Sequence, residues 1–402
     1  MGVVELSIIM KVNTDSQKIE ELLTRGVVET IHRDSLQSKL KNGSQLRVKL
    51  GIDPTSPDLH LGRAIPLLKL RDFQELGHQI VLIVGDFTGI IGDTSDKESE
   101  RPMLTHEVIE HNMETYKEQA GKLLDMEKVE FHHNSEWLEK LTYREIGEHA
   151  NLFSVADFIA RDNIKRRLDA GTRVSLREVL YPLMQGYDSV AVCADVELGG
   201  TDQRFNLLAG RALQPHYDQE PQNIVMTTLI NGTDGRKMSS SWGNTITLTM
   251  SADDMYGKIM SMNDTEIVPY FTLCTRVPLS KIADTEATLL ADGNPRDIKM
   301  GLAREIVGMY HGVEAARAAE EVFVATFQQG GIPEDLVEIV APYTETLVAA
   351  GVVTSKSELR RLFDAGGIRN AETGEKYTEF PKSLDAPLVL KVGKRRFVKL
   401  LP

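Results

Sequence analysis

Hydrophobic residues along the chain follow two patterns: short apolar runs typical of buried strands, and longer stretches with helical spacing. The strand-like runs lie near residues 46, 79, 129, 190 and 224, and helical stretches separate them. The run at 79–85 is almost continuously apolar, as expected of a parallel strand that is covered on both faces. This alternation predicts an α/β fold with a doubly wound parallel sheet, a Rossmann-like domain over 46–250.

The segment ahead of the first predicted strand has helical spacing. Its apolar face consists of Ile19, Leu22, Leu23 and Val27. This spacing predicts an amphipathic helix, so we assign 1–45 to a helical N-terminal segment. No basic residues precede the short apolar stretch at the start of the chain, and we therefore expect no signal peptide.

Beyond residue 244 the strand patterns stop. Residues 252–262 and 295–327 have helical spacing, and Asn294 before Pro295 is suited to cap the second stretch. We therefore predict a helical domain over 251–330. The glycine-rich stretch at 330–333 predicts that a linker region follows, over 331–354.

The last part of the chain, 355–402, combines a basic helix with a hairpin and predicts a small α+β domain. The helical pattern at 358–362 ends at Gly366, and 388–400 alternates as two strands would. Eleven Lys and Arg against six Asp and Glu give this part a net charge of +5, which leaves −18 for the preceding 354 residues. Such a basic end on an acidic body predicts local, salt-sensitive binding of an anion such as nucleic acid.

Composition narrows the class of protein. The 402 residues are enough for two or three domains, and a hydrophobic content of 41% supports a sizeable core. The two cysteines, Cys193 and Cys274, have no metal-ligand spacing, so we predict neither a disulfide framework nor a zinc site. No apolar run reaches the length of a membrane span. These features fit a protein of the reducing cytoplasm.

A turn that opens a helix is the first candidate site. Residues 51–63 read GIDPTSPDLHLGR and join a strand to a helix that begins near His60. The first backbone N–H groups of a helix lack internal partners and the helix dipole makes that end positive, so anionic oxygens bind there. His60 adds a donor, and Gly62 leaves room for a ligand beside the backbone. Alone, the pattern also fits a capped helix with a surface histidine.

A loop rich in hydroxyl groups is the second candidate. Residues 235–244 read GRKMSSSWGN, which contains too much Ser and Gly for the interior of a helix or strand. The cation of Lys237 and the hydroxyl groups suit a polyphosphate whose charge rises during a reaction. By itself, the segment also fits a solvated surface loop.

Polar residues on one helix face form the third candidate. Tyr181, Gln185 and Asp188 are spaced so that they project from one side of a helix, among apolar neighbours. Buried polar groups need partners, and a polar ligand is one such partner. Two glycine-rich segments, 85–93 and 198–203, follow predicted strands, where ligands of open parallel sheets bind. Each segment alone could be an ordinary turn.

Together these motifs resemble those of a known family. The pair 51–63 and 235–244 resembles the two signatures of class I aminoacyl-tRNA synthetases. The polar helix face and 198–203 resemble the tyrosine pocket of bacterial tyrosyl-tRNA synthetases, and the likeness extends from about residue 15 to the C terminus. The resemblance implies that L-tyrosine and ATP react to give tyrosyl-adenylate and pyrophosphate, after which the tyrosyl group passes to the 3′ end of tRNA(Tyr).

The resemblance also implies roles for individual residues. The catalytic residues would be His60, Arg63, Lys237 and Ser240. The ATP-binding residues would be Gly51, Asp53, Thr55, His60, Gly62, Gly200, Asp202, Lys237, Met238 and Ser239. Tyrosine would be bound by Thr88, Asp93, Tyr181, Gln185, Asp188 and Gln203, with Asp188 at the phenol and Tyr181 and Asp93 near the amine. In an S4-like domain, RNA would be bound by Arg360, Arg361, Lys394, Arg395 and Arg396.

Further partners follow from the same resemblance. Mg²⁺ would arrive with ATP rather than occupy a dedicated protein site. A region inserted near 105–185 would form a homodimer interface, and the helical domain would lie on the anticodon side of the tRNA. Phenylalanine would be rejected because it leaves a buried partner of the hydroxyl unpaired, an effect for which tyrosyl-tRNA synthetases are themselves the usual example.

Three residues depart from the family pattern. Arg63 stands where the first signature usually ends in His, and Ser240 stands where the second usually has another Lys. Arg63 keeps a donor and adds charge, whereas Ser240 removes a cation from the pyrophosphate site. Lys49 occupies a strand position where many members offer a Tyr to the substrate hydroxyl, so recognition of the phenol would depend more heavily on Asp188.

Three other activities share part of this pattern. A tryptophan-tRNA ligase shares the fold and the signatures. The departures at Arg63 and Ser240 also fit a catalytically silent relative that only binds RNA. A small-molecule nucleotidylyltransferase shares the first motif, but the second motif and the basic C-terminal part disfavour it.

Overall fold

A six-stranded sheet is the centre of the first of two compact units, which comprise 1–313 and 314–402. The computed structural model describes residues 12–95, 99–100, 102–239, 242–291, 293–327, 336–353, 355–371, 373–381, 384, 386–393 and 396–402. The strands are β1 (Val27–Ile31), β2 (Arg47–Ile52), β3 (Gln79–Val84), β4 (Val129–His133), β5 (Val196–Gly200), β6 (Asn223–Thr227), β7 (Val337–Ile339), β8 (Ile368–Asn370), β9 (Leu388–Val392) and β10 (Arg396–Leu400). The helices are α1 (Ser16–Thr24), α2 (Arg33–Lys41), α3 (Leu61–Glu75), α4 (Asp86–Ile91), α5 (His106–Met113), α6 (Tyr116–Gly121), α7 (Ser135–Leu138), α8 (Tyr143–Ala150), α9 (Val155–Ile159), α10 (Asp162–Asp169), α11 (Leu176–Ala191), α12 (Arg204–Leu213), α13 (Ala252–Ser261), α14 (Ile267–Cys274), α15 (Leu279–Leu290), α16 (Pro295–His311), α17 (Val313–Phe327), α18 (Tyr343–Ala349) and α19 (Lys356–Asp364).

The strand order of the first sheet is β1-β6-β5-β2-β3-β4. Strands β2 to β6 pair in parallel, and β1 lies antiparallel to β6 at one edge. The chain proceeds from β2 towards one edge and from β5 towards the other, so the direction of winding reverses between these two neighbours. Ligands of doubly wound sheets bind at this switch point, beyond the carboxyl ends of the strands. The predicted α/β fold is confirmed.

The N-terminal segment differs from the continuous helix that we predicted. Gly26 has a φ of 62°, a left-handed conformation that suits a helix end, and Val27 belongs to β1 rather than to a helical face. The β-branched residues from Val27 to Ile31 favour an extended strand. The strand predicted near 190 also begins later, at Val196, because Val190 still belongs to α11.

Helices α13 to α16 follow the sheet in the first unit. The predicted helical stretch 295–327 is broken into α16 and α17 at Gly312, whose φ of 89° is unfavourable for other residue types. The buried face of α16 consists of Lys299, Leu302, Ala303, Ile306, Val307 and Tyr310. Within the described ranges, every helix is too short or too polar to cross a lipid bilayer.

The second unit contains a four-stranded sheet of order β7-β10-β9-β8. Strands β9 and β10 form the hairpin expected at 388–400. The buried core of this unit includes Ile339, Leu347, Val353, Leu359, Leu390 and Val398. Residues 337–353 thus supply a strand and a helix to the core, which differs from the linker predicted over 331–354. The glycine-rich stretch at 330–333 lies outside the described residues.

Candidate active site

The first signature turn connects β2 to α3 and is anchored on both sides of His60. Leu59 N–H donates to Gln119 Oε1 at 2.8 Å, and Leu61 N–H donates to the Ile246 carbonyl at 2.9 Å. The first helical N–H group, which we expected to be available to a phosphate, is therefore already paired. The start of α3 instead holds His60 in a fixed place.

The N–H group of Gly62 remains available to a stronger acceptor. Among the described residues, its hydrogen-bond acceptor is the Sδ atom of Met238, at 3.3 Å. A thioether sulfur is a weak acceptor, so a phosphate oxygen could replace it at little cost. Met238 belongs to the second signature, and this contact brings the two signatures together.

His60 is a neutral imidazole between the two signatures. Burial, followed by the positive charges of Arg63 and Lys237, lowers the pKa of His60 to about 3. Its Nδ1 atom is buried and has no hydrogen-bond partner among the described residues. A neutral imidazole carries one N–H donor. The ring can therefore donate a hydrogen bond to a phosphate oxygen over the whole range of working pH.

Gly62 sets the position of the His60 ring. A Cβ atom added at Gly62 would lie 3.0 Å from His60 Nδ1 and 3.5 Å from Ile230 Cγ2. We expect Gly62→Ala to displace the imidazole and to lower kcat of ATP–pyrophosphate exchange by about tenfold, because a misplacement of about 1 Å can cost a hundredfold and the ring would have to move by part of that distance. The matched control is Gly257→Ala in α13, where an added Cβ meets nothing within 4 Å. If Gly62→Ala has the same kcat as the control, the position of the His60 ring does not depend on Gly62.

Arg63 stabilises the signature turn through hydrogen bonds. Its guanidinium donates to the Asp53 carbonyl at 2.9 Å, to Thr55 Oγ1 at 2.6 Å and to Tyr116 Oη at 3.1 Å. Tyr116 Oη in turn donates to the Ser56 carbonyl at 2.7 Å. The longer side chain at this position therefore points along the turn and stiffens it, which is the different direction expected of Arg in place of His.

The second signature loop folds back on itself. Met238 N–H donates to the Ile230 carbonyl at 3.0 Å, and Ser239 N–H donates to Asn244 Oδ1 at 2.9 Å. These bonds fix both flanks of Lys237. Ser240, the position of the second departure, lies outside the described residues.

Lys237 is the cation that this loop brings to the cavity. Its Nζ atom lies 3.2 Å from Asp202 Oδ2, and both side chains are partly exposed. Ion pairs in contact with solvent contribute little, about 0–1 kcal/mol. Lys237 can therefore exchange this carboxylate for a phosphate with little loss.

Asp53, at the end of β2, organises two of the predicted tyrosine-binding residues. Thr88 Oγ1 donates to its Oδ1 atom at 2.7 Å, and Tyr181 Oη donates to its Oδ2 atom at 2.8 Å. Burial raises the pKa of Asp53 to about 6. We predicted Asp53 to bind ATP, but its carboxylate is bonded to residues of the predicted tyrosine pocket.

Two further predicted tyrosine-binding residues contact each other. Gln203 Nε2 donates to Asp93 Oδ2 at 2.7 Å, and Asn206 Nδ2 donates to Gln203 Oε1 at 2.9 Å. Asp93 also accepts from Ser95 Oγ at 2.6 Å. These contacts fix the Asp93 carboxylate, which can attract a ligand ammonium group.

The buried carboxyl group of Asp188 accepts hydrogen bonds from two side chains. Trp137 Nε1 donates to Oδ1 at 2.8 Å, and Asn134 Nδ2 lies 3.3 Å from Oδ2. Burial raises the pKa of Asp188 to about 7, against the positive charge of Lys49. Each carboxyl oxygen can still take another hydrogen bond, for instance from a hydroxyl group. Our sequence reasoning missed Asn134 and Trp137, although a polar residue just beyond the strand predicted near 129 was a signal for Asn134.

Lys49 points away from the cavity. Its side chain is fully buried, and its Nζ atom lies 3.0 Å from Glu197 Oε1. The same ammonium group donates to Ser189 Oγ at 2.7 Å and to the Gln185 carbonyl at 3.0 Å. Lys49 does not replace the usual Tyr as a contact of the substrate, because it is not among the residues that line the cavity.

One cavity of about 590 Å³ brings the candidate groups together. It is lined by each predicted catalytic, ATP-binding and tyrosine-binding residue within the described part of the chain. Lining residues that we did not predict include Ser56, Glu100, Asn134, Thr227 and Leu229. The volume is typical of small-molecule sites. The cavity lies at the carboxyl ends of β2 and β5, the switch point of the sheet.

The predicted RNA-binding residues lie in the second unit. Arg360 and Arg361 are exposed on α19. Arg396 pairs with Glu358 at 2.9 Å and also donates to the Val352 carbonyl, so much of its charge is used within the unit. Lys394 and Arg395 lie outside the described residues.

Known proteins share both the sequence and the architecture. The sequence model of the family described as tRNA synthetases class I (W and Y) matches residues 41–328. A tyrosine–tRNA ligase of Thermotoga maritima is 45% identical over 386 residues, which cover 94% of this chain and 96% of the relative. One of Moorella thermoacetica is 47% identical over 392 residues, which cover 94% of each chain.

Solved structures agree at the level of the fold. A truncated mitochondrial tyrosyl-tRNA synthetase of Aspergillus nidulans aligns with a TM-score of 0.64 and 23% identity, over 76% of this chain and 92% of that one. The tyrosyl-tRNA synthetase of Archaeoglobus fulgidus, solved with L-tyrosine, aligns with a TM-score of 0.60 and 22% identity, over 76% of this chain and 99% of that one.

Proposed function

The chain belongs to the tyrosine–tRNA ligases of the class I aminoacyl-tRNA synthetases, and on this premise we propose that its cavity activates L-tyrosine with ATP and passes the tyrosyl group to the 3′ end of tRNA(Tyr). The observation that carries the proposal is the meeting of three motifs at one cavity: both signatures and the polar face of α11. The family model also covers tryptophan enzymes, but the two relatives described above are tyrosine ligases.

In the first step, a carboxylate oxygen of tyrosine bonds to the α-phosphorus of ATP, and the bond from that phosphorus to the pyrophosphate oxygen breaks. This step needs no nucleophilic side chain, because orientation and stabilisation of phosphate charge can supply the acceleration. Neutral His60 donates a hydrogen bond to a phosphate oxygen, and the ammonium group of Lys237 stabilises the negative charge of the phosphates. Arg63 contributes indirectly, because its hydrogen bonds hold the turn that carries His60 in place.

The amino acid occupies the side of the cavity formed by α11. Asp188 takes the phenol hydroxyl, since each of its carboxyl oxygens accepts one hydrogen bond from the protein and can accept another. Asp93, fixed by Gln203, and Tyr181, fixed by Asp53, take the ammonium group. The carboxylate of tyrosine then points towards the signatures, where the nucleotide lies.

The second step delivers the tyrosyl group to tRNA. A terminal ribose hydroxyl attacks the carbonyl carbon of tyrosyl-adenylate, and AMP leaves. Arg360 and Arg361 are exposed and suited to phosphate contacts, which position RNA without reading its sequence. Binding should weaken steeply as salt rises, because phosphate contacts release counterions.

Mg²⁺ enters with ATP. It is small, dehydrates reluctantly and is usually held by phosphates, waters and one or two carboxylates. Asp53 and Asp93 are already bonded to protein donors, so phosphate oxygens would be its principal ligands. We propose that the enzyme acts in the cytoplasm, where ATP and tRNA are available.

The enzyme acts as a homodimer through the region near 105–185. The most exposed of the large apolar side chains described there are Tyr143 at 95%, Val155 at 71% and Leu176 at 71%. Exposed apolar surface of this kind marks interaction sites. Light scattering in solution tests the assignment, since a monomer at micromolar concentration would contradict it.

The experiment that tests the function is ATP–pyrophosphate exchange with each of the twenty amino acids, in the absence of tRNA. We expect exchange with tyrosine alone. Exchange with tryptophan instead would reassign the substrate. A folded protein that binds tRNA but exchanges nothing would be a silent relative and would contradict the proposal.

A further inference from the structure

A buried ion pair behind the tyrosine pocket carries an inference that rests on the proposed function and extends it. Lys49 is fully buried and Glu197 is 1% exposed, and neither lines the cavity. Desolvation of two charges offsets most of their attraction, so a buried ion pair is weak support for stability. Its position directly behind the polar face of α11 points to a different role.

Glu197 accepts three side-chain hydrogen bonds and also forms an ion pair with Lys49. Its Oε1 atom lies 3.0 Å from Lys49 Nζ and accepts a hydrogen bond from Gln185 Nε2 at 3.2 Å. Its Oε2 atom accepts from Ser189 Oγ at 3.1 Å and from Gln222 Nε2 at 2.5 Å. All four partners donate, so an acceptor-only carboxylate fits here. An amide at 197 would turn its own N–H₂ towards two of these donors in either orientation.

Gln185 is the member of this group that lines the cavity. A glutamine amide can present either a donor or an acceptor, and its orientation follows from its partners. Since Glu197 can only accept, it holds the N–H₂ group of Gln185 away from the ligand. The Oε1 atom of Gln185 accepts no hydrogen bond within the described ranges and is left for the cavity.

We propose that the Lys49–Glu197 pair is a positioning unit that orients the Gln185 amide, so that its oxygen accepts a hydrogen bond from the ammonium group of tyrosine. Lys49 neutralises Glu197 and also ties the Gln185 carbonyl and Ser189 to β2. The amide orientation thereby favours an ammonium group over a carboxylate at this point. Residues outside the cavity thus contribute to recognition of the amino acid.

The test replaces Glu197 and measures tyrosine-dependent ATP–pyrophosphate exchange. We expect Glu197→Gln to raise KM for tyrosine about tenfold, because the amide of Gln185 is no longer held, while KM for ATP changes less than about twofold. The tyrosine analogue without an amino group, 3-(4-hydroxyphenyl)propionate, should inhibit wild type and variant equally, since it has no ammonium group that Gln185 could bind.

A rescue separates positioning from general damage. The double variant Gln185→Glu, Glu197→Gln swaps the two side chains. The new amide at 197 then donates to the new carboxylate at 185, which still presents an oxygen to the cavity. We expect this double variant to bind tyrosine more tightly than either single variant. If Glu197→Gln does not fold, Lys49→Met provides a second comparison, because it removes the cation that neutralises Glu197 and that ties the Gln185 carbonyl to β2.

The matched control is Lys69→Met, which removes another buried lysine, in α3 and outside the cavity. It should lower the unfolding midpoint without changing KM for tyrosine. Equal losses for tyrosine and for the deaminated analogue, or an equal rise in KM for ATP, would overturn the inference. Absence of tyrosine-dependent exchange in the wild type would instead overturn the proposed function.

Discussion

Replacing Lys237 with alanine should lower kcat for tyrosine activation by roughly 10²–10³-fold, the usual effect of removing one preorganised group that stabilises charge in the transition state. The negative charge on the departing pyrophosphate rises as the reaction proceeds. Lys237 pairs with Asp202 at 3.2 Å in a partly exposed contact, and an ion pair in contact with solvent can be exchanged for a phosphate at little cost. Because Ser240 supplies no second cation, the loop depends on Lys237 more than a signature with two lysines would. The rate of ATP–pyrophosphate exchange at saturating ATP and tyrosine measures the effect.

The neighbouring residue supplies the matched control. Arg236 carries the same charge, is 60% exposed, pairs with Asp234 and stacks on Trp242 with 4.8 Å from its guanidinium carbon to the ring centre. Arg236→Ala should therefore change kcat by less than about threefold, since a solvated charge outside the site contributes little. Comparable losses in the two variants would mean that net charge of the loop, rather than the placement of one ammonium group, assists the reaction.

The sequence predicted the central architecture because its signals are local. Apolar runs of strand length, a Pro- and Asp-rich turn before a helix, and glycines after strands each depend on a few neighbouring residues. The polar positions of α11 were predicted in the same way, because residues 181, 185 and 188 share one face of any helix. What the sequence could not provide is the identity of the long-range partners.

Lys49 shows this limit. Its place in β2 was predictable, but the direction of its side chain depends on Glu197, which reaches it only when β5 pairs with β2. Asp53 is similar, since its role follows from Tyr181, 128 positions further along the chain. Strand β1 was missed for a related reason. It is stabilised by pairing with the distant β6, which no local pattern indicates.

Replacing Asp188 with asparagine should lower kcat/KM for tyrosine by about ten- to a hundredfold and leave kcat/KM for phenylalanine nearly unchanged. Hydrogen bonds to charged or ionisable groups contribute about 1.5–3 kcal/mol, and each 1.4 kcal/mol corresponds to tenfold. Trp137 and Asn134 both donate to Asp188, one to each oxygen. An asparagine has a single oxygen, so its N–H₂ group must face one of these donors, and the side chain can no longer meet the phenol in the same geometry.

The discrimination between the two amino acids is the decisive measurement, because phenylalanine differs from tyrosine only in the hydroxyl group. Asp86→Asn is the matched control: Asp86 is buried, accepts from Ser135 N–H at 2.9 Å, and is not among the residues that line the cavity. It should leave the ratio of the two kcat/KM values intact even if it lowers stability. Since Lys49 points to Glu197, Asp188 has no second acid or Tyr from β2 to share the hydroxyl. An unchanged ratio in Asp188→Asn would therefore place recognition of the phenol on a different wall of the cavity.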